Sequence, residues 1–177
     1  MGTIRADYRV KVFCGIIYND EGIFCDIREI LISRFGAIDI EAGPFVFNFT
    51  QYYNKEMGED LKRRFLSFTE LVSPEDCYKW KYFTNSIEEK HISSSSLRRV
   101  NIDPGYMNLS KVVLLSTKDY FHRIFLTGGI FAELTLYYQA KDFRFFPWTY
   151  PDYRTKEYLD FFRKMRQNYS QQEQKKQ

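Results

Sequence analysis

The order in which strand and helix periodicities alternate is the feature that most restricts the fold of this chain. Apolar residues recur with strand spacing in residues 9–18, 38–50, 61–72 and 98–103, and with helical spacing in residues 23–35 and 77–87. This order, strand-helix-strand-strand-helix-strand, predicts an α+β fold with an antiparallel-rich sheet. We expect the helices to pack on one face of that sheet, as in a ferredoxin-like sandwich with a C-terminal hairpin and helix extension.

The predicted hairpin covers residues 121–138 and turns at Gly128-Gly129. A glycine pair tolerates the positive φ angles that a tight two-residue turn demands. This turn fixes the register and places Arg123 directly opposite Glu133. The opposite charges of that cross-strand pair support the register.

The later segments of the chain predict one further element and the point at which the domain ends. Residues 108–117 fit either a helix or a buried strand, and we favour the helix. Thr155 would cap a last helix, which a glutamine- and lysine-rich segment follows. The sequence therefore predicts a single α+β domain over residues 1–169 and a disordered polar tail over residues 170–177.

Composition excludes several classes of protein. The chain has 177 residues, of which 44% are hydrophobic and 28% are charged, so global disorder is not expected. No apolar run approaches the ~20 residues that a membrane-spanning helix needs. The first residues show no signal-peptide pattern, and the three cysteines are an odd number without paired spacing. We therefore expect a cytoplasmic protein with no membrane partner, and two histidines alone predict no metal site.

The positive charge of the chain is concentrated at its C-terminus. The formal net charge is +3, but residues 163–177 contain five basic residues and one acidic residue, a net of +4. The preceding 162 residues therefore carry a net charge of −1. Because binding to a nucleic acid backbone needs a basic face, we do not expect a nucleic acid partner.

Six segments carry a resemblance to a known family. They are KVFCGIIY (11–18), PFVFNFTQYYNKEMG (44–58), LKRRFLSF (61–68), RRVNIDPGYMNLSKVVLLSTK (98–118), residues 122–136 and PWTYPDYRT (147–155). In these segments the chain resembles the prokaryotic domain of unknown function family 4416, and the resemblance covers nearly the whole chain. It implies a cytoplasmic protein of a bacterium or an archaeon. It implies no activity and no catalytic residues.

Some members of that family carry the label "GTP-binding protein", but this sequence lacks the motifs with which conventional GTPases bind GTP. A P-loop needs the pattern GxxxxGK[ST], so that backbone amides and one lysine surround the phosphates. No glycine of this chain begins such a pattern. Residues 117–119 (TKD) lack the residue that should separate lysine from aspartate in a guanine-specificity segment. We therefore do not expect a conventional GTPase.

The segment 98–106, RRVNIDPGY, is the most site-like stretch of the chain. Alternation along a strand places Arg99, Asn101 and Asp103 on one face, and the strand is predicted to end at a Pro104-Gly105 turn. At that end the polar side chains would meet a ligand, and Asp103 would act as an acid or hold a metal. The structural alternative is an Asx turn or a salt bridge with an arginine.

Other basic residues would supply contacts to phosphate. Arg63 and Arg64 lie in the middle of a predicted strand. A guanidinium there requires a carboxylate or a phosphate, because its planar fork matches either group. The alternative is exposure to solvent, or pairing with an acidic residue of the preceding strand. Lys111 and Arg123 complete the predicted phosphate contacts.

Two further groups of residues have both a functional and a structural interpretation. His122 and Glu133 would provide acid-base chemistry, or would form a cross-strand ion pair beside a half-buried histidine. Trp148, Tyr150 and Tyr153 would stack on a nucleotide base, or would pack across the sheet or onto a partner subunit.

Three functions of different classes are compatible with these residues. The favoured one is a binding domain for a phosphate-bearing small ligand such as a nucleotide. It requires Arg63, Arg99 and Arg123 to converge on one pocket without carboxylate partners. The second is an interaction module, a homodimer joined through an aromatic C-terminal arm, residues 148–153. The third is a metal-assisted hydrolase in which the candidate acids and the histidine meet at one point.

Overall fold

A computed structural model describes residue 2, residues 7–92 and residues 97–175. Its strands are β1 (Val10–Tyr18), β2 (Ile38–Val46), β3 (Lys62–Val72), β4 (Val100–Met107), β5 (Lys111–Ser116), β6 (Arg123–Thr127), β7 (Ile130–Gln139) and β8 (Asp142–Phe145). Its helices are α1 (Glu21–Phe35), α2 (Asn54–Met57), α3 (Cys77–Lys90) and α4 (Lys156–Gln174), with a single 3-10 turn at Asp152–Arg154.

The strands form one sheet in the order β2-β3-β1-β4-β5-β7-β6, and β8 also pairs with β7. Neighbouring strands of the described residues run antiparallel. The first four strands have the order β2-β3-β1-β4, which is that of a ferredoxin-like split βαβ unit. The predicted α+β class with an antiparallel sheet is confirmed. The hairpin register is also confirmed, since Arg123 pairs with Glu133.

Helices pack on both faces of the sheet. Alternate residues of a strand point to opposite faces. In β1, Val12, Cys14 and Ile16 belong to the core that α1 and α3 cover. Phe13 points the other way, and its ring centroid lies 5.1 Å from that of Phe162 in α4. We expected one helical face; α1 and α3 form it, and α4 adds a second.

The structure corrects two predictions for residues 98–117. Residues 111–116 form strand β5 and not the favoured helix, because β5 is an inner strand with four buried residues in succession. Pro104-Gly105 is not a turn that ends a strand. It lies within β4, which continues to Met107.

The predicted disorder of the tail is wrong as far as Gln174, where α4 ends. Tyr169 Oη donates to the carbonyl of Arg9 at 2.9 Å, and Gln172 Nε2 donates to the carbonyl of Thr69 at 2.6 Å. These contacts with the sheet extend the helix into the polar segment. Residues 176–177 lie outside the described residues.

No described helix is both long enough and apolar enough to cross a membrane.

Candidate functional site

The sheet is split between β4 and β5. These strands are joined by only three residue pairs, from Gly105 with Leu114 to Met107 with Val112. The first half of β4 pairs with β1 on its other side. A cavity of about 880 Å³ is lined by the separated ends of β4 and β5.

Two side chains of α3 bind the edge of β4 that β5 leaves unpaired. Lys81 Nζ donates to the carbonyl of Ile102 at 2.9 Å, and Glu88 Oε1 accepts from the amide of Ile102 at 2.7 Å. The backbone amide and carbonyl of Ile102 therefore face the gap between β4 and β5. Backbone amides two residues apart in a strand point in the same direction. Pro104 occupies the next such position and has no amide hydrogen to donate to β5, which favours the split. Burial raises the pKa of Glu88, and Lys81 opposes this rise.

Ionisable and aromatic side chains converge on this cavity from every layer of the fold. The ionisable ones are Tyr52, Tyr53, Glu56, Arg63, Lys81, Glu88, Glu89, Arg98, Asp103, Lys118, Tyr120, Arg123, Glu133, Tyr150, Asp152 and Tyr153, and amide and hydroxyl groups such as that of Asn101 accompany them. Burial raises the pKa of Tyr53, Tyr150 and Tyr153, so these phenols remain protonated at physiological pH. The cavity therefore presents neutral phenols as well as charges.

Arg63 is the buried cation at the floor of the cavity. Its side chain is 3% exposed, its Nη1 lies 3.3 Å from Asp103 Oδ2, and its Nη2 donates to Tyr153 Oη at 2.9 Å. Burial acts to lower the pKa of Arg63, but Tyr153, Asp103 and Asp152 outweigh it and raise that pKa. Arg63 is therefore held charged beside Asp103.

Gly15 of β1 provides the space through which Arg63 reaches Asp103. Arg63 lies in β3 and Asp103 in β4, so the guanidinium must pass over β1, which lies between them. A Cβ on Gly15 would lie 2.8 Å from Arg63 Nη2 and 2.9 Å from the ring of Phe65. Any larger residue would therefore displace the guanidinium or the ring.

A second buried ion pair joins Arg123 and Glu133. Both side chains are almost fully buried, and their closest atoms are 2.7 Å apart. Arg123 also donates to Ser116 Oγ, to the carbonyl of Lys118 and to Tyr150 Oη. The donors of the Arg123 guanidinium are therefore used by acceptors of the chain itself, so Arg123 has a structural role.

The histidine that we considered for acid-base chemistry lies beside this ion pair. His122 Nε2 is 3.2 Å from Glu133 Oε2. The His122 ring stacks on Trp148 with 5.1 Å between ring centroids, and its Nδ1 is buried without a partner. Since Glu133 is also bonded to Arg123, this arrangement matches the ion-pair alternative.

Asp152 is a buried carboxylate that also lines the cavity. It is 5% exposed, and Arg63 and nearby backbone amides favour its charged form. Burial raises the pKa of Asp152 above its ordinary value of 3.8; Arg63 opposes the rise and Asp103 adds to it. Burial thus favours the protonated form of the Asp152 carboxyl group, which lines the cavity.

We expect Asp152→Asn to raise the melting temperature at about pH 8, because asparagine keeps one acceptor oxygen but has no charge to bury. The folded-state pKa of Asp152 is raised, so its ionisation disfavours the folded chain as pH rises through that pKa. The gain should therefore shrink toward about pH 3, below the ordinary pKa of the group, where the wild-type carboxyl is largely protonated in both states. Melting curves of both proteins across this range would test it; an equal difference at every pH would contradict it.

Two residues that line the cavity each have a buried donor atom without a hydrogen-bond partner. These atoms are Arg63 Nε and Asn101 Nδ2. The Asn101 side chain is fixed by its other end, since its Oδ1 accepts from Arg98 Nη1 at 3.1 Å. An unpaired buried donor costs about 1–3 kcal/mol, and an acceptor atom on a ligand would remove that cost.

The charges that line the cavity nearly cancel. Six lining residues are acidic and five are basic. Four of the cations have a carboxylate within ion-pair distance: Arg63, Lys81, Arg98 and Arg123. The fifth, Lys118, has no carboxylate partner among the described residues. Its Nζ donates to Tyr52 Oη at 3.2 Å and lies 4.3 Å from the centre of the Tyr52 ring.

The structure brings together only part of the predicted site. Residues Arg63, Asn101, Asp103, Arg123, Glu133, Tyr150 and Tyr153 all line the cavity. Arg99 does not; it forms an exposed pair with Asp20 at 2.9 Å. Arg64 lies elsewhere too, bonded to Tyr18, Glu41 and Glu21. The predicted convergence of unpaired arginines is therefore wrong, because each of them has a carboxylate partner.

Two other predicted contacts also lie off the cavity wall. Lys111 begins β5, where it pairs with Tyr137 at the end of the strand away from the gap. Trp148 stacks on Phe146 with 4.8 Å between ring centroids, and its Nε1 donates to the carbonyl of Leu134 at 2.9 Å. The indole therefore matches the packing alternative and not the stacking platform.

Several functional candidates were missed from the sequence, namely Lys81, Glu88, Lys118 and Asp152. Lys81 and Glu88 lie seven residues apart on α3, which places them on one face beside the apolar stripe. This row of polar residues beside the apolar stripe is the sequence pattern from which Lys81 and Glu88 could have been predicted. Asp152 follows two prolines in an aromatic segment, and no local pattern distinguishes its carboxylate from an exposed one.

The described residues contain no group of three or more histidine, cysteine, aspartate or glutamate side chains that could hold a metal ion. Asp103 pairs with Arg63, whereas Glu133 pairs with Arg123. The candidate acids thus belong to two separate ion pairs.

Comparison with known proteins gives one match. The family model described as Domain of unknown function (DUF4416) matches residues 8–169. Searches of curated proteins and of solved structures gave no match.

Proposed function

The chain belongs to the DUF4416 family, and we propose that this domain binds a small phosphate-bearing ligand, such as a mononucleotide, in the cavity between β4 and β5. The observation that carries the proposal is the cavity itself. It interrupts the sheet, and its lining residues include two with a buried donor atom that has no partner and one lysine without a carboxylate partner among the described residues. A volume of about 880 Å³ is in the range of small-molecule sites.

The charge balance limits the ligand to few phosphates. With six acidic and five basic lining residues, the cavity does not offer the excess of cations that a triphosphate needs. Lys118 would contact a single phosphate, because its charge is not already compensated by a carboxylate. The ring of Tyr52 beside it, and that of Tyr53, would pack on a nucleobase.

The donors of the lining residues would bind the rest of the ligand. Asn101 Nδ2 and Arg63 Nε each require an acceptor, such as a ring nitrogen, a carbonyl or a sugar hydroxyl. Asp103 is 27% exposed in its side chain and would accept from a ligand hydroxyl or amino group. The network of ion pairs holds these groups in place before the ligand enters, which limits the entropy lost on binding.

We expect Lys118→Ala to weaken binding of AMP or GMP by about 10–100-fold, because it removes one charge-assisted hydrogen bond to phosphate. Thermal shift and isothermal titration would be run with monophosphates, diphosphates, triphosphates and cyclic nucleotides, with and without magnesium. Monophosphates should raise the melting temperature most.

The matched control for this prediction is Lys164→Ala, which removes the same charge from the exposed surface of α4. It should leave nucleotide affinity unchanged. A flat panel with every nucleotide would overturn the proposed ligand class, and equal losses in both lysine variants would remove Lys118 from the site.

The expected compartment stays part of this proposal. All three cysteines are free thiols, which supports a reducing cytoplasm. The family resemblance supports a prokaryotic source.

A further inference from the structure

The outer edge of the sheet at β6 carries a row of exposed apolar side chains. Strand β6 ends the strand order, and β8 pairs with the same strand, β7, further along. Because β5 occupies the opposite edge of β7, β6 and β8 lie in line along its outer edge. The exposed residues on or next to this edge are Phe121, Ile124, Phe125, Leu126 and Phe145.

The two edges of the sheet differ in the features with which sheets prevent association: β6 has one register irregularity, between Phe125 and Thr127, and Arg123 is its one charged residue, whereas the other edge has more of these features. Strand β2 contains Pro44, the charged residues Asp39 and Glu41, and two register irregularities. Proline, charge and bulges all discourage edge-to-edge pairing. Residues 124–127 of β6 (IFLT) contain no charge and no proline. Phe121 is 93% exposed and Ile124 is 71% exposed.

The sequence of β6 fits a second copy of the same strand on either side of the irregularity at Phe125. An antiparallel pair of identical strands has two-fold symmetry, so the unpaired amides and carbonyls of one edge meet those of the other. Centred on Phe125, such a pair places Ile124 opposite Leu126 and Phe125 opposite its own copy. Arg123 then faces Thr127, so no like charges face each other.

The exposed apolar area is close to what a stable dimer needs. Taking about 150–250 Å² for a fully exposed aromatic side chain, the five residues expose on the order of 600 Å². A specific interface of standard size buries about 800 Å² per partner, and the edge backbone and neighbouring polar residues would supply the difference. The aromatic arm at residues 148–153 is less available, since Tyr153 is buried and Tyr150 bonds to Arg123.

We propose that the protein forms a two-fold symmetric homodimer in which the β6 edges of two copies pair and extend the sheet across the dimer. This interface is independent of the ligand proposed above. The homodimer that we expected from the sequence is thereby assigned to the β6 edge and not to the aromatic arm.

The test is the mass of the full chain in solution, measured by light scattering from about 5 to about 100 µM, a range over which interfaces of this size associate. Wild-type protein should be a dimer. Ile124→Lys should weaken dimerisation at least about 100-fold, because it buries two unpaired ammonium groups at the interface. The control is Val46→Lys, which adds the same charge to a 74% exposed residue of the opposite edge and should remain a dimer.

Two further measurements keep the test decisive. Amide hydrogen exchange of residues 124–127 should slow as the protein concentration rises, which a dimer formed elsewhere would not produce. If Ile124→Lys does not fold, Phe121→Glu replaces it, because Phe121 is almost fully exposed. A monomeric wild type at about 100 µM would overturn the proposal, and so would a dimer that survives either edge substitution.

Discussion

Replacing Arg123 with methionine is expected to lower the free energy of unfolding by about 3–5 kcal/mol, because it leaves a buried carboxylate without its cation. Glu133 is 1% exposed, and Arg123 lies 2.7 Å from it. The loss is a large fraction of the 5–15 kcal/mol that stabilises a typical domain. Chemical denaturation of wild type and variant would measure it.

The interpretation depends on two controls. Arg99→Ala removes an exposed arginine whose pair with Asp20 is open to solvent, so it should change stability by less than about 1 kcal/mol. Adding Glu133→Gln to Arg123→Met should recover part of the loss, since the uncompensated charge is removed. If Arg123→Met remained as stable as Arg99→Ala and lost only nucleotide binding, Arg123 would be a ligand contact and not a structural cation.

The second large effect is expected for Arg63→Met, at about 3 kcal/mol near neutral pH. This substitution removes the cation that pairs with Asp103 and opposes the raised pKa of Asp152, and it removes the hydrogen bond to Tyr153. Burial already raises the pKa of Asp152, and loss of Arg63 would raise it further. The destabilisation should therefore grow as pH rises and shrink in acid, where Asp152 binds a proton more readily in the folded chain than in the unfolded one.

Urea titrations at several pH values, with Arg63→Lys alongside, would test this prediction. Lysine keeps the charge but lacks the planar fork, so it should recover only part of the stability. A loss that does not vary with pH would mean that the packing of the Arg63 side chain, and not its charge, stabilises the cavity. Arg63 contacts the rings of Phe65 and Tyr153, with its Cζ at 5.2 and 5.5 Å from their centres, so packing has to be separated in this way.

The sequence by itself determined the order of elements and one register. Alternation and helical spacing are set by neighbours along the chain, so the succession of strands and helices up to residue 103 could be read directly, whereas the order of the strands in the sheet could not. The glycine pair at 128–129 located the hairpin turn, and a one-residue register shift between Phe125 and Thr127 brings Arg123 opposite Glu133. Alternation also placed Asn101 and Asp103 on one face, and both line the cavity.

The tertiary structure alone decided which charges meet. Arg63 and Arg64 are adjacent in sequence, yet one is buried against Asp103 and the other is bonded to Glu41 on the opposite face. The run at residues 112–115 became a strand because neighbours on both sides supply hydrogen bonds, although its local pattern also fits a helix. Lys81 and Asp152 both line the cavity, although they lie in segments that are far apart in the sequence. Periodicity is a short-range property, whereas charge pairing depends on distances that the sheet sets only after it has formed.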